Sequence, residues 1–126
     1  MMVYGIIAAR LCLAIVFLYS GADKLLNWQS GVDEVRGFGL PWPRLCAALT
    51  IATQLTGGLL VASGYAVAVG AFLLAAFTAA ATILAHRFWL YRGERFRQEL
   101  TTALEHLAII GGFLLIAIVE FPGTAP

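Results

Sequence analysis

Apolar residues run along most of this chain and are interrupted by two charged segments. All but three of the charged residues lie within 23–44 or 87–99. Between these segments, residues 45–85 contain no Asp, Glu, Lys or Arg. That run is about twice the ~20 residues that a membrane-spanning helix needs. We therefore predict two spans within it, joined by a tight turn at Ser63–Gly64.

The whole pattern predicts four spanning helices, at roughly 3–22, 44–62, 65–86 and 100–121. Helices and closed barrels are the structures that satisfy every backbone polar group in lipid, and the alternating strands of a barrel are absent from the sequence. The first span has no basic segment before it and contains Arg10, which favours a retained span over a cleaved signal peptide. We predict one all-α domain, an integral membrane four-helix bundle.

A short helix is expected in the first charged segment. Val32 and Val35 recur there at helical spacing. Ser30 and Asp33 resemble a helix N-cap pattern. The glycines and the proline within 37–41 would end such a helix. We predict a short interfacial helix between the first and second spans.

Composition supports a membrane protein. The 126-residue chain is 61% hydrophobic and 12% charged, whereas soluble domains average about 25% charged residues. A short soluble chain could not cover so much apolar surface, and a disordered chain needs the opposite composition. A net charge of +1 excludes the basic patch that nucleic-acid binding requires. Cys12 and Cys46 have neither CxxC nor metal-ligand spacing and sit at different depths, so no disulfide is expected.

Charge also predicts the orientation. With four spans, both termini and the 63–64 turn lie at one end of the bundle, the terminal end. The other end, the basic end, consists of segments 23–44 and 87–99 and carries every Lys and Arg except Arg10. The positive-inside rule places the basic end in the cytoplasm. We expect a multi-pass protein of the bacterial plasma (inner) membrane with both termini periplasmic.

Polar residues inside the spans are the candidate functional groups, because ionisable groups in lipid usually face a bundle interior or a cavity. At about 1.5 Å per residue, Arg10 and Gln54 lie level near the midplane. Glu105, on the fourth span, is the candidate counter-ion for Arg10, and Asp23 at the boundary is a weaker one. An alternative partner for Arg10 is a ligand anion or a quinone carbonyl.

These residues suggest a polar cavity that opens to the basic end, with Arg10 and Gln54 at its base. The other polar side chains expected at it are Tyr19, Ser20, Asp23, Thr78, Thr82, His86, Glu105 and His106. The alternative is that the hydroxyls bond carbonyls of their own helices. A metal site is not favoured, because neighbouring residues on a helix diverge by about 100° and no E-x-x-H pair of the di-iron type is present.

Small residues predict where the helices pack. Gly57 and Gly58 on the second span lie at a depth comparable to Gly111 and Gly112 on the fourth. Ala108 and Gly112 form a small-xxx-small pair. Small residues let membrane helices approach closely, so these positions are expected at helix contacts.

Several short motifs, in order along nearly the whole chain, resemble the DoxX family. They are Arg10-Leu11, Phe17-Leu18-Tyr19-Ser20-Gly21, Lys24-Leu25, Gly39-Leu40-Pro41, Gln54-Leu55-Thr56-Gly57-Gly58, His86-Arg87-Phe88-Trp89, Leu107-Ala108 and Gly111-Gly112. The resemblance implies a four-helix bacterial membrane protein. Some DoxX-like proteins are linked to redox systems, among them a thiosulfate:quinone oxidoreductase subunit and an oxidative-stress complex. The family often has Glu where Gln54 stands and Asn where His106 stands, so an acid–base role does not carry over to Gln54.

Three functions follow as hypotheses. The first is a membrane subunit or scaffold of a redox complex, not catalytic by itself, whose basic end docks a cytoplasmic redox protein. The arginines of 87–97 support this, although anionic lipid would explain them equally well. The second is a quinone-binding oxidoreductase component, with Arg10 and Gln54 on the quinone carbonyls and an aromatic such as Phe17 or Phe77 beside the ring. The third is a small-solute transporter, which four spans would support best in a homo-oligomer.

Overall fold

Five α-helices and one 3-10 turn make up residues 1–120, the part of the chain that the computed structural model describes. In chain order they are α1 (Met2–Leu26), α2 (Trp28–Gly37), α3 (Pro43–Ser63), α4 (Val67–Ala85), the 3-10 turn (Phe88–Leu90) and α5 (Gly93–Glu120). Four stretches are long and apolar enough to cross a membrane: α1, α3, α4 with the 3-10 turn, and α5. The predicted all-α fold with four spans and a short helix after the first is confirmed. The predicted end of the fourth span, Phe121, lies outside the described residues.

The last helix begins at Gly93, earlier than the span predicted from residue 100. Its first two turns are polar, and Nε of Arg95 donates to Oε1 of Glu99 at 3.1 Å. Pairs of this i,i+4 kind stabilise a helix in water. A helix of 28 residues is about 42 Å long and exceeds the ~30 Å hydrocarbon core. Hydropathy therefore located the point where α5 becomes apolar, not the point where it begins.

The short helix lies across the basic end of the bundle. It begins at Trp28, directly after Asn27, so Ser30 lies inside the helix and does not cap it. Val32 and Val35 are buried against Ala47 near the start of α3. The apolar face of α2 is thus used for packing on the bundle.

The tight turn between α3 and α4 lies where it was expected. Helix α3 ends at Ser63, and Gly64 has a φ of 86°. Glycine adopts this left-handed conformation without steric cost and commonly ends helices in this way. Pro43 lies in the first turn of α3, where its missing N–H has no intrahelical partner to lose.

Glycines of α3 let it approach helices on two sides. A Cβ atom at Gly57 would lie 2.7 Å from Cγ of Leu74 on α4. One at Gly58 would lie 2.8 Å from Cγ of Leu18 on α1. Helix α3 is therefore the central helix, in contact with α1, α2 and α4, while α5 packs mainly on α4.

The small residues of α5 contribute less to packing than predicted. Gly112 faces Leu13 of α1, with 3.2 Å between a Cβ at Gly112 and the nearest leucine carbon. A Cβ at Gly111 would meet nothing within 4 Å, and Ala108 is exposed. The face of α5 that meets α1 therefore carries Gly112, while Ala108 and Gly111 lie on its exposed surface within this chain.

Three phenylalanines form the centre of the bundle. The ring centroid of Phe17 lies 5.5 Å from that of Phe113 and 6.4 Å from that of Phe77. Buried alanines and Leu74 fill the bundle from this layer toward the terminal end. On the other side of the layer, toward the basic end, the helices enclose open space.

Candidate functional site

A cavity of about 550 Å³ lies between the four spanning helices, below α2 and on the basic side of the phenylalanine layer. We call it the inner cavity. Phe17 and Phe77 line its inner end, and alanines and leucines form most of its walls. Among the polar side chains that line it are Ser20, Lys24, Gln54, Thr78, His86 and His106. A mainly apolar volume of this size with few polar groups is typical of a small-molecule site.

Gln54 is the most deeply buried polar group at the inner cavity, with 5% of the residue exposed. Its Nε2 donates to Oγ of Ser20 at 3.2 Å. The same hydroxyl oxygen accepts from Nζ of Lys24 at 2.6 Å. Within residues 1–120, Oε1 of Gln54 is buried and has no hydrogen-bond partner. A buried acceptor without a donor costs free energy, so Gln54 has an unmet hydrogen bond beside the inner cavity.

The opposite wall carries a histidine that a threonine holds in place. Nδ1 of His106 lies 2.8 Å from Oγ1 of Thr82. The Thr82 hydroxyl donates its hydrogen to the carbonyl of Thr78 at 2.8 Å. A hydroxyl has one hydrogen to give, so Nδ1 of His106 donates to the threonine. In the neutral ring, Nε2 of His106 is therefore left as an acceptor.

A second histidine lies between the inner cavity and the surface. The rings of His86 and His106 meet edge to face, with centroids 5.1 Å apart. Nδ1 of His86 lies 2.9 Å from Oε2 of Glu99, whose other oxygen accepts from Arg95. Glu99 thus joins the end of α4 to the exposed first turns of α5.

His86 also borders a smaller opening of about 320 Å³ at the basic end, the vestibule. The vestibule is lined by Arg87, Arg95 and Glu99, and it shares Phe38 and His86 with the inner cavity. The two openings therefore adjoin near Phe38, just after α2, and His86, just after α4. The vestibule is thus a polar opening at the basic end, directly beside the inner cavity.

Arg10 does not lie at the inner cavity, and its predicted pairing with Gln54 is wrong. Its Nε donates to the carbonyl of Val61 at 3.1 Å, and one terminal nitrogen lies 3.7 Å from Oε1 of Glu120. Helical side chains point toward their own N-terminus, which here is the terminal end. The long arginine stem carries the charge further in that direction, away from Gln54.

Two acidic residues predicted at the cavity also lie elsewhere. Glu105 is exposed on the outer face of α5 and is not the counter-ion of Arg10. Asp23 is exposed and accepts from Nδ2 of Asn27 at 3.1 Å. Tyr19, also expected there, is 72% exposed. Axial depth alone does not give the direction in which a side chain leaves its helix, and this is why the three were misplaced.

The remaining candidates are brought together. Gln54, His86 and His106 line the inner cavity, and Thr82 acts on it through His106. Lys24 was missed, although it lies four residues after Ser20 and hence on the same helix face. Within residues 1–120, no three His, Cys, Asp or Glu side chains are grouped as a metal ion would need.

Comparison with known proteins identifies the family. The DoxX family profile matches residues 5–87, which covers most of the chain. The chain belongs to the DoxX family. The match includes α1, α3 and α4, and so the helices that supply Ser20, Gln54 and Thr82. It confirms the resemblance drawn from the ordered motifs.

Two curated relatives match over most of their length. The inner membrane protein YphA of Escherichia coli (strain K12) is 23% identical over 113 residues, covering 90% of this chain and 81% of that protein. The inner membrane protein YqjF of the same organism is 28% identical over 116 residues, covering 90% and 82%. No solved structure matches the chain significantly. This DoxX protein is therefore a multi-pass membrane protein with relatives of similar length.

Proposed function

We propose that this protein is a bacterial inner-membrane component of a redox system, and that it binds an amphipathic compound of the quinone class, in its quinone or quinol form, in the inner cavity. The observation that carries the proposal is the buried Gln54 amide beside an apolar volume of about 550 Å³. Such a site supplies an apolar enclosure for a ring and a few polar groups that fix its orientation. The names of both E. coli relatives support the inner membrane as its location.

The residues fit a planar ring with oxygen substituents. Phe17 and Phe77 lie edge to face at the inner end of the cavity and would contact the ring. Ser20 and Lys24, on α1, carry O–H and N–H donors for its oxygens. Gln54 on α3 and His106 on α5 carry acceptors, which pair with an oxygen of the ligand only when that oxygen bears a hydrogen. Arg10, which the sequence suggested for a quinone carbonyl, is replaced in this role because it binds Val61 and Glu120 at the terminal end.

The chain would provide position and polarity, while the ligand carries the electrons. A second redox protein is then needed to exchange those electrons. The vestibule adjoins the inner cavity at the basic end, where Arg87 and Arg95 lie. We place the docking surface for this partner there, on the cytoplasmic side by the positive-inside rule.

The test begins with the purified protein in lipid nanodiscs and the hydroquinone of a short-chain benzoquinone, kept anaerobic, as probe. We expect saturable binding that Gln54→Leu weakens by about tenfold, the size of one buried hydrogen bond. Gln98→Leu is the matched control, because Gln98 is exposed in the polar part of α5 and should bind as the unchanged protein does. Binding that is unaffected by Gln54→Leu, or absent from both proteins, would reject the inner cavity as the site.

A further inference from the structure

The polar groups around Ser20 include both hydrogen-bond donors and a hydrogen-bond acceptor that a ligand could use. The Ser20 oxygen has two lone pairs, and it accepts from both Lys24 and Gln54. Its own hydrogen and the remaining N–H groups of Lys24 are donors. The acceptor among these groups that has no partner within residues 1–120 is Oε1 of Gln54.

Only the acceptors distinguish an oxidised from a reduced ligand. A quinone carbonyl and a quinol hydroxyl both accept hydrogen bonds, so the donors of Ser20 and Lys24 serve either form. A quinol hydroxyl also donates, whereas a quinone has no hydrogen to give. With a quinone bound, Oε1 of Gln54 would remain unpaired in a site from which water has been displaced.

We infer that the inner cavity favours the reduced, hydroxyl-bearing form of its ligand, and that Gln54 is the group that recognises the hydroxyl. The inference rests on the proposed function and adds the redox form of the ligand to it. Oε1 is buried away from the open volume in this structure, and the terminal torsion of a glutamine is broad. A rotation that releases Nε2 from Ser20 turns the oxygen toward the cavity when a hydroxyl is there to pair with it. On the opposite wall, Nε2 of His106 is a second acceptor for a second hydroxyl.

The consequence is a shift in the potential of the bound couple. An unpaired buried acceptor costs enough to weaken binding of the quinone about tenfold relative to the quinol. Tighter binding of the reduced form makes the bound molecule easier to reduce. For a two-electron couple, a tenfold preference raises the midpoint potential by about 30 mV. Bound ligand would thus be held as quinol until a stronger oxidant removes its electrons.

The experiment compares a short-chain benzoquinone with its hydroquinone, the latter under anaerobic conditions, on the protein in nanodiscs. The unchanged protein is expected to bind the hydroquinone about tenfold more tightly. Gln54→Met keeps the length of the side chain but removes its amide, and it should lose most of the preference, with only the part due to His106 remaining. The control Gln98→Met should keep the preference.

The outcomes separate the two proposals. If neither form binds in the cavity, the proposed function fails. If both bind with equal affinity to the unchanged protein, the cavity is a ligand site but the redox preference is refuted. Tighter binding of the quinone would show that Gln54 directs its N–H toward the ligand, and it would also refute the preference for the reduced form. A preference that is undiminished in Gln54→Met would show that Gln54 does not recognise the hydroxyl.

Discussion

Nε of Arg10 donates to the carbonyl oxygen of Val61 at 3.1 Å. This bond joins the first third of α1 to the last turns of α3, and the Glu120 carboxylate 3.7 Å from the same guanidinium adds α5. One charged side chain thus connects three helices at the terminal end. The groups around it come from helix ends, and the inner cavity lies on the far side of the phenylalanine layer.

Arg10→Leu should therefore lower stability without changing ligand binding. Loss of a hydrogen bond from a charged, mostly buried donor is expected to cost about 1.5–3 kcal/mol. Unfolding in mild detergent measures this, with the benzoquinone affinity determined on the same samples. Glu120→Gln is the control, and it should cost less because the bond to Val61 remains. A tenfold loss of affinity in Arg10→Leu would place the arginine in the ligand site after all.

The contact between α3 and α4 depends on a glycine. A Cβ at Gly57 would lie 2.7 Å from Cγ and 2.8 Å from Cδ2 of Leu74, a fully buried residue. Gly57→Ala should destabilise the protein by about 1–3 kcal/mol through overpacking. Gly111→Ala has open space around it, and it should be neutral or up to about 1 kcal/mol stabilising because alanine favours helix. Equal thermal unfolding of the two variants would contradict the proposed packing of α3 on α4.

Length and charge were enough to predict the fold. Lipid admits few backbone structures, so long apolar runs specify spanning helices almost without regard to tertiary contacts. The turn at Gly64 and the short helix after α1 also follow from local residues. The start of α5 does not, since Gly93 to Glu99 forms helix through polar pairs that hydropathy treats as loop.

The site was only partly accessible from the sequence. Gln54, His86 and His106 were found because polar groups in a span are unusual. Arg10 and Glu105 were misplaced because a position along the helix axis does not specify which face carries a side chain. The four-residue spacing of Ser20 and Lys24 does indicate that the two side chains share a helix face. A lysine next to a charged loop is nevertheless usually interpreted as a surface residue, and Lys24 was therefore missed. The hydrogen bond between Glu99 and His86 joins α5 to the end of α4. That these two segments lie together is visible only in the tertiary structure.

Glu99 is expected to hold the basic end of α4 and α5 together. It accepts from Arg95 at 3.1 Å and lies 2.9 Å from His86. Glu99→Gln removes the charge that both partners face, so the segment between the two helices should open more often. Amide hydrogen exchange of residues 87–92 should quicken by about five- to tenfold, which corresponds to roughly 1–1.4 kcal/mol. Glu94→Gln, at an exposed position in the same helix, should leave exchange unchanged, and equal exchange in both variants would deny Glu99 this role.

The orientation of the bundle can be measured with single cysteines. The background is Cys12→Ala with Cys46→Ala, because both cysteines are free thiols. Ser63→Cys then reports on the terminal end, and Arg92→Cys, at an exposed position, reports on the basic end. By the positive-inside rule, a membrane-impermeant maleimide should label Ser63→Cys in intact spheroplasts. It should label Arg92→Cys only after the membrane is permeabilised. The reverse pattern would place the vestibule outside the cell and, with it, the docking surface proposed for a cytoplasmic redox partner.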